Sequence, residues 1–581
     1  MPVPVADADA DPPLPPLAGG AAGPRALRPL LDAVLETVAA GARDRAGPLP
    51  RGGPEAVARA VRHTVGQAIP AEGTGADEAL RALVHAVTVG AADPADPHCA
   101  AHLHCPPLAV AVAADLAASA LNPSLDSWDQ APAASELEAL TSHALAALVY
   151  PATPTADALV TTGGTESNQL ALLLAREEAT RPAPATPAAR PADHRPPTRT
   201  PAHAPAAPAD RTPSASPPTD RAPAGPPPTS RTPADPAATP PAPADHASSA
   251  PVCAPAVERA AGGPRPGAHG LPHPRRHPGP ARPCRPLPEP PALRVVCGEN
   301  AHHSVVRAAW VLGLPDPVVV ATPRGVLDPA SAAAALGQLP PDAPRLLVAT
   351  AGTTDTGVID PLPELADVAA AYGARLHVDA AYGGPLLFSA AHRHKLRGIE
   401  RAHSVTLDLH KLGWQPVAAG LLAVPDRADL APLGHRADYL SAADDAEAGF
   451  PDLLGRSLRT TRRPDILKVA VTLRALGRNG LGELVDRTCS AAQHLADLIE
   501  ATPGLELHAR PVISTVLFRP TGADPPAVAR ARRRLLAEGR AVLGRAARPD
   551  GLWLKATLLN PHIQPSDLEA LVKLVEGHRT G

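Results

Sequence analysis

Apolar residues recur at three- and four-residue steps through 25–42 (RALRPLLDAVLETVAAGA) and 54–69 (PEAVARAVRHTVGQAI), which predicts helices over 25–90. Two further helical stretches follow, PPLAVAVAADLAASAL (106–121) and ASELEALTSHALAALVY (134–150). Ser135 and Glu138 of the second have the spacing of a capping box. The period then changes. A short apolar run, ADALVTT, leads into the glycines of GGT and a helix, ESNQLALLLAREEA. From 293 onward, apolar runs (LRVVCGE, VVVAT, RLLVATAG, RLHVDAA, SVTLDLH) alternate with amphipathic stretches (HSVVRAAWVLG, PLPELADVAAAYG). That alternation predicts an α/β fold, a mostly parallel sheet with crossover helices. After about 430 come a long helix (DILKVAVTLRALG), another around Cys489, strand-like VISTVLFRP and LWLKATLLN, and a capped last helix, PSDLEALVKLVEGH. These predict a smaller α+β unit.

Composition changes the picture between 181 and 292. That stretch holds 34 of the 77 prolines and no Phe, Trp, Tyr, Ile, Met or Lys. It cannot bury enough apolar surface to offset the entropy of ordering its backbone, so it reads as a disordered insert. Lying between a helix and a strand, it replaces a surface loop, and closure entropy grows slowly enough with length to tolerate it. A Pro-rich recognition segment is the alternative. Setting it aside with a disordered tail, 1–24, leaves about 445 residues, ample for a large core.

The formal charge is −4, divided as +6 in the insert and −10 elsewhere, which gives no electrostatic case for nucleic acid or an anionic membrane. No run approaches 18 apolar residues, and the acidic, proline-broken start does not resemble a targeting peptide. Six scattered cysteines form no disulfide framework, so a reduced, cytoplasmic protein is expected.

Three features carry chemistry. Lys411 directly follows a β-branched apolar strand. A lysine there either snorkels to solvent or forms a Schiff base, where desolvation keeps its amine nucleophilic. Asp379, in RLHVDAAYGG, caps a helix or points from a strand's C-terminal end into a ligand crevice, where it can partner a protonated pyridine nitrogen. TTGGTESN (161–168) places glycines and hydroxyls at a helix N-terminus, a ready phosphate site. His98, Cys99, His102, His104 and Cys105 fit no common zinc spacing, so no metal site is expected.

Together, in this order, these features resemble the fold-type I pyridoxal-phosphate enzymes, and more closely the group II amino-acid decarboxylases. The resemblance covers about 95–180 and 293–581. It rests on AHLHCPPL (101–108), DSWDQAPAASELE (126–138), TTGGTESNQLALLLAR (161–176), NAHHSVVRAA (300–309), ATAGTTDTGVIDPL (349–362), HVDAAYGG (377–384), SVTLDLHK (404–411) and SLRTTRRPDILK (457–468). It implies a large domain with a seven-stranded, mostly parallel sheet over 116–430, interrupted by the insert. An N-terminal helical segment (25–115) would precede it and a small C-terminal domain (431–581) follow.

The resemblance implies pyridoxal 5'-phosphate as cofactor. Lys411 would bind it covalently, Asp379 would face its pyridine nitrogen and His302 would stack on its ring. Gly164 and Thr165 would hold its phosphate, with Thr354, His410 and Asp408 as further contacts. Several relatives carry Asn where Asp408 stands. Aromatic amino-acid decarboxylases protonate the substrate α-carbon with a loop tyrosine; Leu453 occupies that place, leaving His302 or a water as donor. The family places AHLHCPPL, with an exposed thiol and imidazoles, at the substrate entrance and DSWDQ beside the site. The implied activity is a homodimeric decarboxylase of a small-molecule L-amino acid, closest to the L-2,4-diaminobutyrate, lysine or ornithine subgroup. The alternatives are an aromatic or glutamate decarboxylase, decarboxylation coupled to oxidative deamination, transamination, or a non-catalytic scaffold organised by the insert.

Overall fold

The computed structural model describes residues 15–180, 292–434, 440, 444 and 447–578. The expectations for residues 1–14 and for the insert up to 291 lie outside the described residues. All the elements below belong to one compact unit.

The chain opens with helices α1 (Gly23–Arg45), α2 (Gly53–Val65), α3 (Ala76–Gly90), α4 (Ala109–Leu121) and α5 (Pro132–Val149). The predicted alternation follows: β1 (Asp157–Thr161), α6 (Gly164–Thr180), β2 (Arg294–Gly298), α7 (Ser304–Val311), β3 (Val318–Val320), α8 (Pro329–Gly337), β4 (Arg345–Thr350), α9 (Leu362–Ala371), β5 (Arg375–Ala380), β6 (Ser404–Asp408) and β7 (Gly420–Val424). These strands form one seven-stranded sheet in the order β1-β7-β6-β5-β4-β2-β3. β6, β5, β4, β2 and β3 pair in parallel, and β7 alone runs antiparallel to both its neighbours. Helices cover both faces of such a sheet, so its strands read as continuous apolar runs rather than alternations. Val296, Leu347, Val378 and Val405 are fully buried in adjacent strands, each stabilising the fold by about 1.5–3 kcal/mol.

The C-terminal part builds a four-stranded antiparallel sheet, β10-β11-β9-β8, from β8 (Leu505–Leu507), β9 (Thr515–Pro520), β10 (Gly544–Arg548) and β11 (Gly551–Thr557). It packs with α10 (Ile466–Glu500), α11 (Pro525–Ala537) and α12 (Pro565–Gly577) around its own cluster of Leu495, Phe518, Leu554 and Leu571. The two helices expected around 465–500 run on through α10, which kinks at Gly477, where φ is +64°.

One local expectation fails. α5 begins at Pro132, so Ser135 and Glu138 sit inside it rather than forming a capping box; Ser135 Oγ donates to the Pro132 carbonyl. Glu138 instead takes Arg462 Nη1 at 2.9 Å on each oxygen, with both side chains buried. A buried carboxylate needs a counter-charge more than the local amides need a cap. Among the described residues no helix is long and apolar enough to cross a membrane.

Candidate active site

The C-terminal ends of β1, β4, β5 and β6 open into a cavity of about 400 Å³. Lys411, Asp379, His302, Gly164, Thr165, Thr354, His410 and Asp408 all line it, so the structure brings together the eight residues expected to hold the cofactor. Residues separated by up to 247 positions converge because parallel strands with right-handed crossovers present their carboxyl ends at one edge.

The glycine turn after β1 is packed too closely for side chains. A Cβ on Gly163 would lie 2.8 Å from His410 Cε1; one on Gly164 would lie 3.0 Å from Ala381 Cβ and 3.2 Å from Asp408 Oδ2. Gly420, where β7 begins, presses on the same turn: its Cβ would fall 2.4 Å from Gly163 Cα. The turn leads into α6, whose first amides have no intrahelical acceptor and face an anion favourably. Glu166 Oε2 steadies the turn by accepting from both the backbone N–H and the hydroxyl of Thr162 at 2.7 Å.

Lys411 Nζ lies 2.9 Å from Asp408 Oδ2, and His410 Nε2 lies 3.5 Å from the same oxygen. Asp408 is buried, and its Oδ1 has no hydrogen-bond partner among the described residues. Burial holds the His410 and His302 imidazoles below the ordinary histidine range, although Asp408 pulls the first upward and Asp379 the second. Both are therefore biased toward the neutral form.

Asp379, near the end of β5, is anchored twice. The Ala381 N–H donates to its Oδ1 at 3.1 Å, and Asn168 Nδ2 donates to its Oδ2 at 2.8 Å. Asn168, on the first turns of α6, is a residue that the sequence reading did not single out. Its Oδ1 accepts from Thr406 Oγ1 at 2.8 Å and faces His377 Nε2 at 3.0 Å. His377 is fully buried and pushed down to about 4 by desolvation, with Asp379 acting in the opposite sense.

Other expectations are redirected. Leu103 is the residue of AHLHCPPL that lines the cavity. Cys105, expected as an exposed thiol, is buried; its Sγ donates to the His410 carbonyl at 3.2 Å, and burial pushes it up to about 12. The polar groups of DSWDQ satisfy one another instead of lining this cavity: Gln130 Nε2 donates to Asp126 Oδ1, and Ser127 Oγ to Asp129 Oδ1. Leu453 is buried ahead of a short 3₁₀ turn and does not line it either. Tyr382 does line it, but its hydroxyl is held among the Ser514 and Thr515 hydroxyls at 2.9 Å.

A lysine on the turn after a buried strand, an anchored carboxylate, a ring-sized imidazole and a glycine turn on a helix N-terminus can together hold a flat, phosphorylated aldehyde. Comparison with known proteins agrees. Residues 289–521 match the model of the pyridoxal-dependent decarboxylase conserved domain. The chain is 34% identical to an L-2,4-diaminobutyrate decarboxylase of Rhizobium meliloti (strain 1021), over 87% of this chain and 83% of that one. It is 28% identical to an L-2,4-diaminobutyrate decarboxylase of Acinetobacter baumannii, over 87% and 84%. Among solved structures it resembles the glutamate decarboxylase domain of a diaminobutyrate-pyruvate transaminase and L-2,4-diaminobutyrate decarboxylase from Vibrio parahaemolyticus, with TM-score 0.67, 26% identity and 97% of each chain covered. An Oryza sativa TDC with PLP and tryptamine shares the fold, with TM-score 0.71 and 19% identity over 95% of this chain and 97% of that one.

Proposed function

Because this chain belongs to the pyridoxal-dependent decarboxylase family, it is a pyridoxal-phosphate-dependent amino-acid decarboxylase, and we propose that it acts on L-2,4-diaminobutyrate or a near diamino acid such as ornithine or lysine. The observation that carries the substrate assignment is the similarity to L-2,4-diaminobutyrate decarboxylases along 87% of the chain. The cavity supports it. Among the described residues its one Phe, Tyr or Trp side chain is Tyr382, whereas an aromatic substrate asks for several flat apolar walls.

The residues present fit the cofactor. The Gly163–Gly164 turn leaves a cradle that a Cβ would fill, at a helix N-terminus suited to phosphate. Lys411 would hold the aldehyde carbon, Asp379 the pyridine nitrogen and His302 the ring face, with Thr354 a further contact; Gly164 and Thr165 would hold the phosphate, beside His410 and Asp408. Pyridoxal phosphate, when bound, supplies the electron sink for the bonding pair of the departing carboxylate. Asp379 would keep that sink cationic through a charge held in place by two hydrogen bonds, so little reorganisation would be needed during reaction. Asp408 offsets the positive charge of Lys411 when the amine is free. With Leu453 in place of tyrosine, His302 is the group that this reading assigns to hand a proton to the substrate α-carbon.

The same reading divides the chain into a helical segment (25–115), a cofactor-binding domain (116–430) and a small domain (431–581), and makes it a cytoplasmic homodimer. Exposed apolar side chains such as Leu35, Val87 and Trp310 offer surface for a second copy. The test is a comparison of kcat/KM for 2,4-diaminobutyrate, ornithine, lysine, glutamate, tyrosine and tryptophan. A diamino acid is expected to lead; tyrosine or tryptophan in first place would reject the substrate assignment.

A further inference from the structure

Hydrogen-bond direction can be followed through the side chains behind the cavity, because one end can only accept. Asp379 is a carboxylate, so the Asn168 atom 2.8 Å from its Oδ2 is the donor, Nδ2. The second Nδ2 hydrogen goes to Ser304 Oγ, also at 2.8 Å. That leaves the Ser304 hydroxyl its own hydrogen to donate, and His302 Nδ1 lies 2.8 Å away. The Ser304 backbone N–H, which can only donate, points to the same nitrogen at 3.3 Å.

His302 Nδ1 is therefore an acceptor from two donors. A neutral imidazole carries its single proton on the other nitrogen, Nε2. Burial favours that neutral form. The amide at the centre has no freedom to turn over: Thr406 Oγ1 and His377 Nε2 occupy its Oδ1 while Asp379 and Ser304 occupy its Nδ2. Asn168 and Ser304 are both fully buried, so solvent offers no substitute partner.

We propose that Asn168 is a positioning residue that acts through Ser304 to fix His302 as the Nε2–H tautomer, so that the same amide that anchors Asp379 also presents an N–H donor to the bound substrate. The proposal rests on the decarboxylase reading above. It adds a residue and a proton position that motif similarity does not supply.

The test uses holoenzyme, without substrate, labelled with ¹⁵N-histidine, the His302 signals being identified by their loss in His302→Gln. Wild type is expected to show a pyridine-like Nδ1 and a pyrrole-like Nε2. Ser304→Ala leaves the Asn168–Asp379 bond and the longer backbone N–H contact at 3.3 Å in place but removes the hydroxyl donor at 2.8 Å; it should move a measurable share of the proton from Nε2 to Nδ1 and lower kcat roughly tenfold, as the loss of one hydrogen bond does, with KM little changed. Asn168→Ala should do the same and also weaken cofactor retention. A pyrrole-like Nδ1 in wild type overturns the proposal, and so does a wild-type pattern in Ser304→Ala. If Asn168→Ala does not fold, Ser304→Ala decides alone. An Nε2–H signal in an enzyme that decarboxylates no amino acid would instead reject the functional reading and leave the tautomer assignment standing.

Discussion

Replacing Asp379 by Asn changes almost no volume and removes one charge, which makes it the cleanest probe of the site. Two donors converge on the carboxylate, Ala381 N–H on Oδ1 and Asn168 Nδ2 on Oδ2. An amide offers one oxygen, so its NH2 group must face one of those donors. At least one charge-assisted bond is lost, at about 1.5–3 kcal/mol of stability. The larger effect is on turnover. A neutral amide does not hold a pyridine nitrogen protonated, and losing one preorganised electrostatic partner raises a barrier by about 3 kcal/mol or more, on the order of 10²-fold in rate. The assay is carbon dioxide release under saturating cofactor, with a urea midpoint measured on the same preparations. The expected Asp379→Asn enzyme is folded, moderately less stable and at least about a hundredfold slower in kcat. Near wild-type turnover would refute the role of Asp379, and an unchanged midpoint would refute the hydrogen-bond argument.

Lys411→Ala should abolish cofactor that borohydride can trap covalently, while leaving the fold intact; trapping that persists would reassign the lysine. Gly420→Ala drives a Cβ to 2.4 Å from Gly163 Cα, so overpacking of about 1–3 kcal/mol and faster cofactor loss are expected, read by thermal midpoint and dialysis. Glu138→Ala leaves Arg462 buried without its counter-charge and should cost about 3–5 kcal/mol in urea unfolding; a cost under about 1 kcal/mol would contradict the buried pairing. His377, whose ring nitrogens meet Ser404 and Asn168 and which burial holds near 4 against 6.5 for an ordinary histidine, contributes stability that is full above 6.5. This stability is lost as pH falls toward 4, because only the unfolded chain takes up the proton there; the loss is about 3 kcal/mol. His377→Asn should flatten that part of the pH–stability curve.

Much of the fold was legible because each strand of the large sheet is buried on both faces and so appears as an unbroken apolar run, as in RLLVAT and SVTLD. β7 was not anticipated; GLLAV follows the lysine turn closely and pairs antiparallel, outside the strand–helix rhythm. The site residues could be read because Lys411, Asp379 and the glycine turn are chemically unusual at strand ends. Asn168 could not, since an amide near a helix start also reads as an ordinary polar position; only its burial and four partners mark it out. Ser135 and Glu138 misled for the opposite reason: a local spacing suggested a cap, while a partner 324 residues away took the carboxylate. Cys105 reads as polar in the sequence and packs as a hydrophobe in the structure, as free cysteines commonly do.

The most direct measurement of the central claim is product stoichiometry. Holoenzyme supplied with carboxyl-labelled L-2,4-diaminobutyrate should release labelled carbon dioxide and 1,3-diaminopropane in equal amounts, without hydrogen peroxide, ammonia or a keto acid, and Lys411→Ala should release neither product. Carbon dioxide accompanied by peroxide and an aldehyde would show oxidative deamination, a keto acid without carbon dioxide would show transamination, and either result would contradict the account.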